Sequence, residues 1–303
     1  MIVVTGAAGF IGSNLVLGLN AGGIDDILAV DSLDEASKHR NLNRAEIADL
    51  IEPEALLAQL SGLGQVDCVF HQGACTDTTE ADGVFMMRNN YRYSVTLASW
   101  CMARGIPFIY ASSAAVYGSG THGFAPERTA EDPLNVYAYS KFLFDQWVRR
   151  HGGDQALIGL RYFNVYGRHE RHKGRMASVV HKFHAAARAG EPLQLFEGSE
   201  ALRRDFVHVD DVVAVNLYFQ AHPDKRGIYN VGCGSARSFH ALAELVAARY
   251  GVEIEAIPFP EDLKGKYQAF TQADITGLRA AGYVRPFASL EEGVARTLDW
   301  LDA

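Results

Sequence analysis

Cysteine is scarce in this chain. Its 303 residues hold four, Cys68, Cys75, Cys101 and Cys233, and no two stand at C-x-x-C spacing. That argues against a zinc knuckle or a disulfide framework, and no metal site is expected. An excess of basic residues is missing too: Lys and Arg number 28 against 36 Asp and Glu, a formal charge of -8. Nucleic-acid binders are normally basic, so no nucleic-acid partner is expected. An anionic small molecule stays open, because local charge decides that. No apolar run approaches transmembrane length, and no low-complexity tract appears. The opening "MIVVTG" already reads as a strand and leaves no room for a signal peptide. A reducing, cytoplasmic setting with no membrane partner is therefore expected.

About half of the residues, 48%, are hydrophobic, enough for a full core in one large domain or two unequal ones. Short apolar runs alternate with helical patterns. The runs are "IVVT" (2–5), "ILAV" (27–30), "VDCVFHQ" (66–72), "IPFIYAS" (106–112) and "ALIGLRY" (156–162). Helices are expected near 82–103 and 136–150. This rhythm predicts an α/β fold with a parallel sheet covered on both faces, binding ligands at the carboxyl ends of its strands. After Gly167 the rhythm changes. Residues 168–203 are rich in His, Arg and Lys, then amphipathic. "DFVHVDDVVAVNLYFQA" reads as a strand feeding a helix, "GIYNVG" as another strand, and the chain closes on a helix.

"TGAAGFIG" sets Gly6, Gly9 and Gly12 after the first strand and at the start of a helix. Such glycines permit a tight turn and let backbone N–H groups approach a pyrophosphate at a helix N-terminus. Asp31 ends the next apolar run, where a carboxylate can accept hydrogen bonds from the adenosine ribose. Alone it favours NAD. Lys38 and Arg40 follow and can neutralise a 2′-phosphate, or else belong to a solvated charged loop.

In "NVYAYSKFLFD", Tyr137 precedes Lys141 by four residues, so phenol and ammonium share a helix face. A free phenol, with a pKa of about 10, is a poor base near pH 7, and a nearby ammonium favours its ionised form. Ser112 and Ser113 stand at the carboxyl end of "FIYAS". Ser113 is the expected hydroxyl anchor for a substrate alcohol.

These stretches together resemble the extended short-chain dehydrogenase/reductases. The resemblance is carried by "TGAAGFIG", "HQGA" (71–74), "NN" (89–90), "SSAAVYG" (112–118), "YAYSK" (137–141), "RYFNVYG" (161–167) and "RDFVHVDD" (204–211). It implies a Rossmann-type, doubly wound parallel sheet with a smaller, mostly C-terminal substrate-binding domain. The nucleotide domain would take 1–167 plus about 204–233. The substrate domain would take about 168–203 plus 234–303. Tyr137 becomes the acid–base residue, Lys141 its pKa-lowering partner and Ser113 the anchor.

Within that family, 4,6-dehydratases carry an Asp-Glu pair where this chain has Ala114 and Ala115. Methyl groups transfer no protons, so an epimerase that oxidises and re-reduces one carbon is favoured. "YFNVYGRHERHKGRMAS", "LFEGSEALRRDFVHV" and "KGKYQAFTQADITGLRAAGY" resemble the ADP-L-glycero-D-manno-heptose 6-epimerases, which supply the heptose of the lipopolysaccharide core. UDP-hexose 4-epimerases share the earlier motifs and are the rival, and a non-catalytic dinucleotide sensor is a remote one. The resemblance implies a tightly bound NADP, with NAD open, an ADP-heptose substrate and a homo-oligomer, a pentamer by family habit.

By the same match, Phe10, Ile11, Asp31, Ser32, Lys38, Gln72, Gly73, Ala74, Cys75, Thr76, Asn89, Lys141, Val165 and Lys173 would line the cofactor. Asn164, Arg175, Lys182, Phe196, Glu197, Gly198, Ser199, Arg204 and Tyr267 would line the ADP-heptose with Ser113. Lys173 matches a second acid–base position on the far side of the reacting carbon from Tyr137, or else holds a phosphate. Arg204 suits a bidentate clamp on a diphosphate; Tyr267 lines the site or packs in the core. Pro53 and Gln72 depart from the family's lysine and glutamate. The first departure removes a cation that would hold a 2′-phosphate. Arg175 and Lys182 also differ from the usual residue types.

Overall fold

The computed structural model describes residues 1–260 and 268–303. The strands are β1 (Ile2–Thr5), β2 (Ile27–Val30), β3 (Asp49–Ile51), β4 (Cys68–His71), β5 (Phe108–Ser113), β6 (Leu157–Tyr162), β7 (Asn164–Tyr166), β8 (Leu193–Phe196), β9 (Arg203–His208), β10 (Gly227–Val231), β11 (Ala236–Ser238) and β12 (Ile254–Ile257). Seven of them form one parallel sheet flanked by helices, in the order β10-β6-β5-β4-β1-β2-β3. Strands β1, β2, β4 and β6 are buried along their whole length. That is why their sequences run apolar without alternation. The strand order reverses between β1 and β4, and the crevice at such a reversal is where a doubly wound sheet binds its ligand.

Several short strands escape the sequence pattern, β3, β7, β8 and β11. β3 has three residues, Asp49–Ile51, and none is fully buried. β8 alternates buried and exposed residues and pairs in parallel with β12. The helix expected near 82–103 is interrupted. It starts as Gly83–Met86, widens over Met87–Arg92 and resumes as Tyr93–Arg104. In the widened turn the N–H of Tyr93 donates to the Arg88 carbonyl, an i→i+5 bond. Such wide turns recur at functional sites.

The chain divides into two compact units. The first comprises Met1–Val116, Pro133–Arg161 and Val213–Tyr229. Its core packs Val3, Leu28, Val69, Leu97, Phe108 and Phe144. The second comprises Tyr117–Asp132, Tyr162–Val212 and Asn230–Ala303. It holds a three-stranded sheet, β11-β9-β7, and the β12-β8 pair. Its core gathers Tyr166, Phe183, Leu193, Phe206, Leu242 and Leu298.

Candidate active site

The glycine turn lies at the sheet's reversal point. Gly6 has φ +68, and a β-carbon there would sit 2.7 Å from the Gly73 nitrogen. Two backbones, after β1 and after β4, therefore meet where only glycine fits. At Gly12 a β-carbon would fall 1.9 Å from the Gly6 carbonyl oxygen, so the helix Phe10–Ala21 closes tightly on the turn. Gly9 is the N-cap of that helix and offers no side-chain cap. A helix N-terminus without a side-chain cap suits an external acceptor such as a pyrophosphate.

Asp31 follows β2 and reaches back to the turn, accepting from the Ala8 N–H at 2.8 Å. Its other oxygen pairs with the Lys38 ammonium. Lys38 also donates to the Ser32 carbonyl at 2.8 Å, and Asn41 donates to the Ala8 carbonyl at 2.9 Å. Phe10 is buried and Ile11 half-buried. Arg40 is exposed.

After β4 the segment Gln72–Thr76 carries five of the expected cofactor contacts. Gln72 donates to Asn216 at 3.2 Å, and the Gly73 N–H donates to the Thr5 hydroxyl at 3.1 Å. Ala74 is half-buried and Thr76 exposed. Cys75 is held by both its backbone groups. Its N–H donates to the Asn90 side chain at 2.8 Å, and its carbonyl accepts from the same amide at 2.9 Å. Asn89 donates to Asn90 at 3.0 Å. Asn90 sits in the widened helical turn and donates to Ser140, one residue before Lys141, at 3.2 Å. Sequence reasoning noted "NN" without seeing that its second member clamps the 72–76 segment to the helix Val136–His151.

His71 completes this bracing. Its ring nitrogens lie 2.7 Å from the Thr5 hydroxyl and 2.7 Å from the Ser94 hydroxyl. Burial pushes its pKa down to about 3, so the imidazole is neutral. Ser94 gives its proton to the Asn90 carbonyl. It therefore accepts from His71 Nε2–H, and Nδ1 accepts from Thr5. A single tautomer satisfies the chain.

Ser113, Tyr137 and Lys141 all lie in the first unit. Ser113 ends β5, its hydroxyl accepts from the Ala115 N–H at 3.1 Å, and its side chain acts on the Tyr137 phenol. Asn135 caps the helix that carries Tyr137 and Lys141, its side chain accepting from the Ala138 N–H at 2.8 Å. Burial pushes the phenol's pKa up and Ser113 pulls it down. The Lys141 ammonium donates to the Ala111 carbonyl at 2.8 Å, spanning from helix to strand. Desolvation pushes Lys141 down to about 8, and Asp145 opposes that shift.

Asp145 was missed by sequence reasoning, although it stands four residues after Lys141. It is fully buried and accepts from Tyr110 at 2.9 Å, Ser112 at 2.8 Å and Arg161 at 2.8 Å. Arg161 is equally buried. A charged residue inside the buried run "LIGLRY" was the available signal, since a buried guanidinium requires a partner.

The remaining expected residues belong to the second unit. Asn164 and Val165 lie on β7, paired with Phe206 and Val207 of β9. Arg204, on β9, is buried with its guanidinium 5.4 Å from the Phe239 ring centroid. Its neighbour Asp205 accepts from the N–H groups of Cys233, Gly234 and Ala273 and is raised by burial to about 6. Lys173 and Arg175 lie in the turn Arg171–Met176, and Lys182 is exposed on the helix Val179–Arg188. Phe196 packs edge-on against Phe259, and Glu197–Ser199 form the turn after β8, with Ser199 buried. Tyr267 lies outside the described residues. Among the described residues no cluster of His, Cys, Asp or Glu could hold a metal ion, and no helix is long and apolar enough to cross a membrane.

The profile of the NAD dependent epimerase/dehydratase family matches residues 2–232. The chain belongs to that family. Among solved structures it is similar to the ADP-L-glycero-D-manno-heptose-6-epimerase of Helicobacter pylori, with 31% identity and TM-score 0.86, covering 100% of this chain and 96% of that one. It is also similar to the UDP-glucose 4-epimerase of Thermotoga maritima, with 28% identity, TM-score 0.84 and coverage of 99% and 98%. A third is the UDP-N-acetylglucosamine 4-epimerase of Methanobrevibacter ruminantium, with 26% identity, TM-score 0.87 and coverage of 99% and 97%. A nicotinamide dinucleotide fits the residues present. The Gly6–Gly73 approach and the uncapped helix suit its pyrophosphate, and Asp31 suits its ribose.

Proposed function

We propose that this protein is an ADP-glycero-manno-heptose 6-epimerase, an isomerase that inverts C6 of the heptose of ADP-D-glycero-D-manno-heptose. The observation that carries the chemistry is the pairing of Ser113 with the buried Tyr137 phenol at the carboxyl end of β5, where burial raises the phenol's pKa and Ser113 lowers it. There Ser113 orients a substrate hydroxyl and Tyr137 takes or returns its proton at the phenol oxygen. Lys141 holds positive charge on the same helix face. The nicotinamide, when bound, supplies the two-electron acceptor and donor. Ala114 and Ala115 offer no acid or base for an elimination.

The heptose assignment rests on the stretches 162–178, 195–209 and 264–283 and is supported by the 31% identical neighbour. Lys173 is proposed as the second proton carrier. Arg204 and the 196–199 turn are proposed to hold the ADP-heptose, with Asn164, Arg175 and Lys182. The Asp31–Lys38 pair suits either dinucleotide: the carboxylate accepts from a 2′-hydroxyl, and the ammonium meets a 2′-phosphate.

The test is incubation of purified protein with ADP-D-glycero-D-manno-heptose and no added cofactor, followed by NMR at C6. The expected result is a mixture of both epimers. No conversion, even with NAD or NADP added, sinks the assignment. UDP-glucose in a parallel tube tests the second reading, which the two UDP-sugar epimerase neighbours favour.

A further inference from the structure

The segment 167–178, which carries Lys173, is an unusual piece of backbone. His169 holds φ +71 without being glycine, Gly167 holds φ +152 and Gly174 φ +49. A non-glycine residue in the left-handed region persists only where its surroundings over-determine it. His169 has one anchor in the edge of the Trp300 ring, at 5.2 Å between centroids. The main anchor is the next residue. Glu170 has no exposed surface. One carboxylate oxygen accepts from the Gly167 N–H at 3.0 Å and from the Ser178 hydroxyl at 2.7 Å. The other accepts from the Ser178 N–H at 2.6 Å. Its own backbone carbonyl accepts from the Lys173 N–H at 2.9 Å. Both ends of the segment and the middle are thus tied to one residue.

We propose that Glu170 is a positioning residue. Its buried carboxylate closes the 167–178 loop and supplies the counter-charge that keeps Lys173 an ammonium ready to give a proton. This rests on the reading of Lys173 as a proton carrier.

The electrostatics agree with the geometry. The charged groups acting on Lys173 include Glu170 from its own turn and Lys182 from the helix Val179–Arg188. Desolvation pushes the Lys173 ammonium down and Lys182 adds to that, while Glu170 opposes both. In the other direction burial pushes the Glu170 carboxyl up, and Lys173 with the Ser178 and Gly167 donors pulls it down. Each charge makes the other tenable in a poorly solvated place. A carboxylate kept only to close the loop would need its three donors and no cation.

The test is NMR titration of the whole protein made with lysine enriched in 13C at Cε, the Lys173 signal being assigned with Lys173→Arg. In Glu170→Gln the Lys173 ammonium is expected to titrate at lower pH than in the wild type. Ser178→Ala removes a donor but keeps the charge, so it should titrate with the wild type. In the wild type itself the Lys173 signal should show a second, acid-side step as Glu170 takes up its proton. That step requires no variant, so poor folding of Glu170→Gln leaves the question decidable. Turnover of Glu170→Gln should fall at least about tenfold, its pH profile moving in the same direction as the lysine titration. Identical lysine titrations in Glu170→Gln and the wild type overturn the proposal, as does the lack of an acid-side step. Wild-type kcat in Glu170→Gln, where Lys173→Arg is inactive, overturns it as well. If Lys173→Arg keeps full turnover, the proton-carrier reading of Lys173 fails, while the titrations still decide what Glu170 does to it.

Discussion

Lys141 of the first unit and Lys173 of the second face the same problem and solve it differently. Burial lowers the pKa of both. Each has a buried carboxylate within about a helical turn, Asp145 four residues after the one and Glu170 three before the other. Asp145, however, is shared. Arg161 lies 2.8 Å from it with no exposure on either side. Tyr110 and Ser112 take its remaining capacity. Its charge is largely balanced before Lys141 draws on it, and Lys141 falls to about 8. Glu170 accepts from neutral donors, so its charge remains for Lys173. A buried carboxylate next to a lysine therefore acts as a structural anchor or as a charge-setting group, according to whether a second cation claims it.

The largest expected effect breaks the first unit's site outright. Tyr137→Phe removes the proposed proton carrier and leaves the glycine turn, Asp31 and the braced 72–76 segment untouched. Turnover should fall by about 10²–10⁴, while nucleotide released from the denatured protein, read by absorbance, stays at the wild-type amount. Unchanged turnover in this variant would mean that Tyr137 is not the proton carrier.

Asp145→Asn tests whether that carboxylate is the anchor. It strands a fully buried guanidinium, so urea unfolding should show a loss of about 3–5 kcal/mol. Glu170→Gln leaves Lys173 without its counter-charge, but an ammonium can shed its proton where a guanidinium cannot, so about 1–3 kcal/mol is expected. If the two losses were reversed, the division of roles between the carboxylates would be wrong.

The pH dependence sharpens the Lys141 side. Its folded pKa of about 8 lies below the ordinary 10.5. Between those values the unfolded chain binds more protons, so stability contributed by this group rises with pH. Below pH 8 both states are charged and the full cost of burying the ammonium is present. That cost, on the order of 3 kcal/mol, is relieved as pH climbs through 8 toward 10.5. Urea midpoints of the wild type and Lys141→Met should therefore converge or cross over that window. A constant difference between them would mean that the ammonium is not desolvated.

What the sequence could and could not disclose follows from the range of the forces involved. The fully buried strands β1, β2, β4 and β6 were readable because burial on both faces leaves a local apolar signature. The glycine turn was readable because close backbone approach restricts residue type at fixed spacing. Tyr137 and Lys141 share a helix face by spacing alone. The partners of those groups are remote in the chain: Asn90 for Cys75, Arg161 for Asp145, Thr5 and Ser94 for His71. No local pattern discloses such pairs, although Arg161 in an apolar strand and Asp145 one turn past Lys141 were visible hints. The widened turn at Met87–Arg92 leaves no mark in hydrophobic periodicity either, since it shifts register within one helix. β3 and β8 are too short for their patterns to separate from loop.

The smallest effect concerns the Asp31–Lys38 pair, where the two dinucleotides compete for opposite charges. Asp31 is tied to the Ala8 N–H and to Lys38. Lys38 is also fixed by the Ser32 carbonyl. In Lys38→Ala the carboxylate keeps its backbone anchor and loses its neutralising cation. A 2′-phosphate would then meet uncompensated negative charge, whereas a 2′-hydroxyl would meet a freer acceptor. NADP binding should weaken by up to about tenfold, with NAD binding equal or slightly tighter, as read from dissociation constants of cofactor-stripped protein. Because Lys38 is partly solvated, at 17% exposure, the difference should shrink as salt is added. Equal weakening of both dinucleotides would instead make Lys38 a brace for the turn rather than a reader of the phosphate.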